Sequence, residues 1–582
     1  MKRITPYKRN LIIISIIILI STLVEIFSPL IVGFIVDELT QGIRNIFLII
    51  SLAIIYLLIY GVIWIMFYLR RQELGKFVPF FLEKLRMDIF NKFQKQDMKF
   101  FDNYQSGELN TRVLNDALDF GDTTTLISDT IANLLTSVLT FAIIAWLNLT
   151  LALITLAAIP FVLLLMISLR KLARRMGKSY RKSIENVNKS MIELIEGIHV
   201  CKAYGQESKV SSEFEDTNKG YFNSAFKLTA ATHMWRPLLE VITSITLVII
   251  LFMATQFSIQ NLISPGLILI FILYLQKFFR PVMVIALFFP QLSTGMAAYE
   301  RILEILDSEP QVQQKDSTIK TNNFGGDIVF KHVDFKYKDN DWIFKNLNLK
   351  IHQGEKLAIV GKTGAGKTSL ISLLPRFYEF QGGEIEIDGK DIRSIDLNSL
   401  RKNISIVHQD VFLFSGTIEE NIRYGKQDAT EEEIWNAINT VHAEELIKYL
   451  PNGIQTKVGE RGKGLSTGQK QLISFARAVL SNPNILILDE ATSSVDAYTE
   501  AIIQEALDIL LKNRTSIIIA HRLSTVVNAD RIIVMDKGKI IEEGDHKSLL
   551  NQGGKYTELY KDYFEYQKLE LTEDFKLESL VE

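Results

Sequence analysis

The sequence predicts a chain of two parts: an all-α bundle of six membrane-spanning helices, then a cytosolic α/β domain built around a phosphate-binding loop. Three observations carry this. Apolar stretches long enough to cross a bilayer recur near 11–36, 43–69, 124–147, 149–169, 237–258 and 262–289. The connections between them are either short or long, and basic residues gather in the long ones. In the second half a glycine-rich run stands between a strand-like and a helix-like segment.

Composition frames these elements. The 582 residues are 48% hydrophobic with mean hydropathy +0.16, too long for one domain and too apolar for an average soluble chain. Lys+Arg 64 against Asp+Glu 66 gives a net charge of -2, so no bulk positive field recruits nucleic acid, which is not expected as a partner. The single Cys201 excludes an intrachain disulfide, and no metal-site spacing of Cys and His accompanies it. The basic start (Lys2, Arg3, Lys8, Arg9) followed by an apolar run superficially matches a cleavable signal. Apolar character continues past Glu25 to Val36, however, so the segment is expected to stay as the first span.

Six spans leave both ends on one side. Short connections fall near 37–42, at Asn148 and near 259–261, while long loops cover 70–123 and 170–236. Arg70, Arg71, Lys76, Lys84, Arg86, Lys92, Lys95 and Lys99 crowd the first long loop. Arg170, Lys171, Arg174, Arg175, Lys178, Arg181 and Lys182 crowd the second, and Arg44 alone lies near an outer connection. The positive-inside rule then places the long loops, the N-terminus and everything after the sixth span in the cytoplasm, making a multi-pass protein of the cytoplasmic membrane with the lipid bilayer as a partner. Apolar residues at three-and-four spacing over 81–90 and 191–198 read as helix. Each loop going out and back as two legs of about 25 residues would reach roughly 35–40 Å beyond the membrane.

Two charges inside the spans call for explanation. Glu25 lies about 20 Å from the cytoplasmic start of the first span, where an unpaired charge costs about 2.5–3.5 kcal/mol. It is expected either in a substrate path, in an interhelical hydrogen bond or near the outer interface. Arg280 and Pro281 are expected to interrupt and kink the sixth span beside Phe278, Phe279, Phe288 and Phe289, an aromatic strip that reads as packing or lipid contact.

A polar run over 307–317 marks a change of character, with boundaries expected at 1–306 for the membrane part, 307–327 for a linker, 328–565 for the α/β domain and 566–582 for a tail. The strand-like 356–360 leads into Gly361, Lys362, Thr363, Gly364, Ala365, Gly366, Lys367, Thr368 and Ser369, then into helix. Glycines let backbone N–H groups face a β-phosphate and the helix N-terminus adds partial positive charge. Lys367 would reach the β and γ oxygens and the Thr368 hydroxyl would ligate Mg²⁺. A second strand, 485–488, ends in Asp489 and Glu490, carboxylates suited to holding Mg²⁺ through its waters and to acting as general base. A third ends in His521, which alone reads as a surface histidine.

Together these residues resemble the ATP-binding-cassette family, and the six-span half resembles its exporters with long intracellular loops; the likeness covers nearly the whole chain. It implies that Tyr337 stacks on adenine and that Gln409 contacts Mg²⁺ and senses the membrane domain. It makes 464–472 the family signature, presenting Ser466, Gly468 and Gln469 to a nucleotide, with Asp496 in the loop crossing the dimer interface and His521 contacting the γ-phosphate. Phe100, Phe101, Asp102 and Gly107, together with 197–207, resemble segments flanking two coupling helices. The implied cofactors are ATP and Mg²⁺, clasped between two head-to-tail cassettes, so the functional unit takes two chains.

Thr467 stands where the family usually has Gly. Its Cβ is expected to restrict the backbone and crowd a phosphate, so the site this signature completes would hydrolyse poorly. With Glu490 and His521 intact, the chain resembles the competent half of a bacterial heterodimeric multidrug exporter. The resemblance implies ATP-driven export of small amphipathic or hydrophobic compounds, with a second half-transporter chain as partner. A homodimeric lipid or peptide exporter stays open, as does an ATP-gated channel or regulatory subunit, which would not need the intact Glu490 and His521. Six spans exclude the family's soluble ATPases, fusion of both parts in one chain disfavours an importer, and the lack of an N-terminal protease domain speaks against a peptide-processing exporter.

Overall fold

The computed structural model describes residues 8–40, 45–259, 264–314, 318–321, 324–338, 341–489, 497–520 and 523–562. The chain divides into two units, Met1–Gln94 with Ser106–Ser308, and Lys95–Gln105 with Glu309–Glu582.

In the first unit six helices among the described residues are long and apolar enough to span a membrane: Lys8–Thr40, Ile46–Gln94, Ser106–Leu147, Leu149–Glu196, Glu207–Gln256 and Pro265–Val282. The long loops are continuations of these helices, out and back as their periodicity predicts. The helix Ile46–Gln94 has 49 residues, about 74 Å at 1.5 Å per residue, far more than a hydrocarbon core of about 30 Å needs. The helix Ile159–Glu196 is answered by Glu207–His233 packed along it. Between the third and fourth spans the chain turns at Asn148, whose side chain accepts from the Leu151 amide at 3.2 Å as an N-cap.

The first span breaks at Phe27 for an identifiable reason. Pro29 has no N–H, so the Glu25 carbonyl four residues earlier loses its helical donor. Ser28 Oγ donates to that oxygen at 2.9 Å and Lys277 Nζ at 3.0 Å, while Tyr274 Oη donates to the next carbonyl, that of Ile26, at 2.6 Å. The sixth span thus satisfies the first where proline opened it. Further along, a Cβ on Gly266 would stand 2.2 Å from the Gly33 carbonyl oxygen, and Asp37 accepts from Ser264 Oγ and the Gly266 amide, each at 2.6 Å. Small residues let these two helices approach backbone to backbone. The expected interruption at Arg280 and Pro281 does not occur: the helix Pro265–Asp307 runs through both. One missing amide removes one helical bond, and packing of this helix on Ala117–Leu147 holds the rest. Phe278 and Phe279 are buried with Tyr274 and Leu275 in the core of the bundle.

The second unit is α/β. In chain order its strands are β1 (Ile328–Lys338), β2 (Asp341–Ile351), β3 (Lys356–Val360), β4 (Gly382–Ile387), β5 (Lys390–Asp391), β6 (Ile404–Val407), β7 (Gly416–Thr417), β8 (Lys457–Val458), β9 (Ile485–Asp489), β10 (Thr515–Ile519), β11 (Arg531–Asp536) and β12 (Lys539–Gly544). A sheet of order β12-β11-β3-β10-β9-β6 is parallel except for β12, and β2-β1-β4-β5 form an antiparallel sheet. β9 and β10 read as continuous apolar runs because both faces are covered. The short helix Met98–Asn103, which lies in sequence between two membrane helices, belongs to this unit. Asp97 caps it at Phe100 (3.2 Å) and also accepts from the Val312 amide at 3.2 Å.

Candidate functional site

The loop after β3 is shaped by glycines. Gly361, Gly364 and Gly366 have φ of 154°, 82° and 103°, a region that side-chain-bearing residues rarely adopt. A Cβ on Gly361 would stand 2.3 Å from the Met535 carbonyl oxygen, and one on Gly366 would stand 2.9 Å from the Phe344 ring. Nothing lies within 4 Å of such an atom on Gly364, so the loop is packed on one side and open on the other. Lys362, Thr363, Gly364 and Thr368 are exposed, Gly366 is half-buried, and Ala365 and Ser369 are buried.

Lys367 is only 8% exposed and turns its ammonium back onto the carbonyls of Gly361 and Lys362, the latter at 3.2 Å. Burial holds its pKa below the usual lysine value, with the Asp489 carboxylate opposing that shift. A buried ammonium resting on neutral carbonyls, beside an open glycine loop that leads into a helix, fits a polyphosphate.

Strand register brings distant residues to this loop. Ile519 of β10 lies beside Ile359 of β3 and beside Asp489 of β9, and Val407 of β6 lies beside Leu488. The phosphate loop, Asp489 and Gln409 therefore emerge from the carboxyl edge of four parallel neighbours, where such sheets bind ligands. Gln409 is exposed there. Among the described residues no cluster of three His, Cys, Asp or Glu could hold a metal by itself. A divalent cation at this edge would draw on the Thr368 hydroxyl, Gln409, Asp489 and the oxygens of the bound phosphates. Tyr337 packs edge-on against Phe335 at 4.8 Å and Tyr378 at 4.9 Å, and its hydroxyl donates to Ser369 Oγ at 3.1 Å. Burial pushes its pKa up, so it stays a neutral donor, with its half-buried ring beside the loop.

The membrane-spanning unit has a site of its own. A cavity of about 840 Å³ is walled by the first, second, third and sixth spans. Glu25 lines it and pairs with Lys277 at 3.1 Å, so the interhelical reading of Glu25 holds, at a cavity wall. Arg70 pairs with Asp129 at 2.9 Å on the same wall, and Arg280 lies there too. Lys277 and Asp129 escaped notice in the sequence. The signal that would have found them is the placing of an ionisable residue inside a span, one helical turn before Arg280 for Lys277.

Residues 11–282 match the family profile described as the ABC transporter transmembrane region, and residues 344–493 match the one described as ABC transporter. The uncharacterized ABC transporter ATP-binding protein YknV of Bacillus subtilis (strain 168) is 38% identical over 562 residues, covering 96% of this chain and 92% of that protein. The chain belongs to the ABC transporter family. It is also similar to the putative multidrug export ATP-binding/permease protein YgaD of the same organism, at 34% identity over 578 residues, 96% of this chain and 98% of that one. The solved structure of a bacterial Atm1-family ABC exporter with ATP bound matches with a TM-score of 0.76 at 25% identity, covering 95% of this chain and 98% of that chain. This ABC transporter is a half-transporter of exporter fold, an ATPase coupled to transmembrane transport.

In the transporter's signature segment, Gly464 has φ of 101° and Ser466 is the N-cap of the helix Thr467–Ser481. Ser466 and Gln469 form a capping box, with bonds of 3.2 Å and 2.9 Å, so the Gln469 side-chain oxygen is engaged with the Ser466 amide. Gly468 is buried one position on. Thr467 corrects part of the expectation: it opens a right-handed helix and is exposed, so its Cβ imposes no backbone strain. What it adds is the bulk of a β-branched side chain at the first position of the helix. This helix packs on β6 at the edge of the parallel sheet and on Ile418–Arg423, Glu431–Thr440 and Ala497–Leu510, whereas the phosphate-loop helix Lys367–Leu373 packs on β10. The structure does not join Ser466, Gly468 and Gln469 to the phosphate loop of the same chain through these contacts. Glu490, Asp496 and His521 lie outside the described residues, though β9 ends at Asp489 and β10 at Ile519, immediately before Glu490 and two residues before His521.

Proposed function

We propose that this transporter exports small amphipathic or hydrophobic compounds across the cytoplasmic membrane as one subunit of a dimer, with its N-terminus and cassette in the cytoplasm. The observation that carries the reading is the gathering of Lys367, Asp489 and Gln409 at one sheet edge beside the glycine loop. In this reading Gly361, Lys362, Thr363, Gly364, Ala365, Gly366 and Ser369 cradle the phosphates of ATP and Lys367 meets the β and γ oxygens. Tyr337 stacks on the base, while Thr368, Gln409 and Asp489 hold the Mg²⁺ that neutralises phosphate charge. Glu490 polarises the attacking water and His521 orients the γ-phosphate. Ser466, Gly468, Gln469 and Asp496 face the ATP held by a second chain. The multidrug type of substrate is supported by the name of the YgaD relative.

The partner we propose is a different half-transporter, because Thr467 puts a β-branched side chain at the first position of the signature helix. A homodimer is the second reading, and the unstrained backbone at Thr467 favours it. Glu490→Gln in the reconstituted complex tests the enzyme: it should trap ATP and abolish hydrolysis at the site it serves, and undiminished turnover there would reject the assignment. Purification of the chain alone tests the partner, since a stable homodimer with full transport would refute any need for another subunit.

A further inference from the structure

We infer that the membrane cavity selects an amphiphile with a negatively charged headgroup and that Arg280 is the group that meets it; the inference rests on the export reading above. The wall carries three cations, Arg70, Lys277 and Arg280, against two carboxylates, Glu25 and Asp129. Both carboxylates are already engaged. Lys277 holds the Glu25 side chain at 3.1 Å and its backbone carbonyl at 3.0 Å. Arg70 holds Asp129 at 2.9 Å, with Arg71 a further 3.8 Å contact on the same carboxylate. Arg280 has no ion pair or hydrogen bond among the described residues and is exposed at the wall.

An unpaired guanidinium inside a span is costly unless water or an anion meets it. Its planar fork suits the oxygens of a carboxylate or phosphate. A cationic guest would meet Arg280 with no free carboxylate on this wall to offset the repulsion. The rest of the wall is mixed: hydroxyl and amide side chains such as Ser21, Asn133 and Gln276 stand among Val32, Ile63, Met66, Leu273, Val284 and Phe288, whose apolar surface supplies the other half of the chemistry. A volume of about 840 Å³ lies in the range of sites that enclose a drug-sized molecule. A bare anion would satisfy Arg280 and leave that apolar wall to water, whereas an acidic amphiphile satisfies both.

The test uses the full chain, with its companion subunit if it requires one, in phosphatidylcholine nanodiscs and vesicles. The probes are fluorescently labelled dodecyl phosphate, the matching dodecyl trimethylammonium and the matching dodecanol. In binding without ATP, the phosphate is expected to bind about tenfold more tightly than the cation, the size of one charge-assisted hydrogen bond. Arg280→Ala should bring that ratio close to one, Arg280→Lys should keep most of it, and Arg280→Glu should invert it. Millimolar inorganic phosphate should leave the labelled probe in place; displacement would mark a site for free anions and overturn the amphiphile. Equal binding of anion and cation, or a ratio unmoved in the Ala and Glu variants, would overturn the role of Arg280. ATP-driven accumulation in vesicles is read separately. Selective binding without any transport would leave this inference standing and reject export, while transport of cation or alcohol without selective anion binding would do the opposite.

Discussion

The Tyr378 hydroxyl donates to Asp102 Oδ2 at 2.7 Å. Asp102 sits on the helix Met98–Asn103, covalently continuous with membrane helices on either side, while Tyr378 follows the phosphate-loop helix in sequence. Tyr378 in turn meets Tyr337 edge-on at 4.9 Å, and Tyr337 holds Ser369 of that helix. Within this one unit, contacts therefore run from the helix Met98–Asn103 to the loop in which we propose that ATP binds.

Tyr378→Phe would keep the ring contacts and delete the bond to the carboxylate. A hydrogen bond to a charged group contributes about 1.5–3 kcal/mol, and this exposed one belongs at the low end or below. The expected outcome is a several-fold drop in substrate-stimulated over basal ATPase with the cassette still folded. An unchanged ratio would show that the contact transmits nothing. Burial pushes the Tyr378 phenol above its usual pKa, and the Asp102 carboxylate pushes it further. A folded pKa raised above the unfolded value of about 10 means that the contribution is complete below that pH and is lost as pH climbs beyond it.

Lys367 yields a second pH dependence of opposite origin. Burial depresses its pKa in the free site, and a bound phosphate anion would raise it again, so ATP binding takes up protons as pH approaches the lysine range. Affinity for a non-hydrolysable ATP analogue should fall as pH rises through that window. Lys367→Gln should bind more weakly and lose the slope, which titration at several pH values would show.

Glu25 and Lys277 form a pair suited to a double-mutant cycle. Lys277→Met leaves the Glu25 carboxylate and its proline-orphaned carbonyl short of a donor, while Glu25→Gln with Lys277→Met leaves no bare charge. Thermal unfolding in nanodiscs should show the double variant more stable than the sum of the single losses, with a coupling of about 0.5–3 kcal/mol. Additive losses would mean that the pair is not formed.

Asp116 closes a π-helical turn, Arg112–Asp116, and is buried between Arg112 at 3.1 Å and Arg301 at 3.0 Å. Breaking a buried ion pair by removing one partner costs about 3–5 kcal/mol. Because Arg301 is 37% exposed, Asp116→Ala should fall at or below the lower figure. Its unfolding temperature should lie below that of Asp116→Asn, which keeps an acceptor.

Spans, their helical extensions and the phosphate loop were legible in the residues because each is a local property. Bilayer thickness is measured along one contiguous apolar run, and charge asymmetry compares one loop with the next. Gly361 to Thr368 likewise carry their own strand and helix with them. Pairing is not local. Lys277 meets Glu25 across 252 residues and Tyr378 meets Asp102 across 276, so no window of sequence contains either contact. Which charge remains unpaired at the cavity wall depends on which cations the two carboxylates have taken, and helix packing decided that in favour of Lys277 and Arg70. Packing likewise carried the sixth span through Pro281, and the helix start at Thr467 set its backbone. Local chemistry named the parts, and the burial of apolar helix faces chose their neighbours.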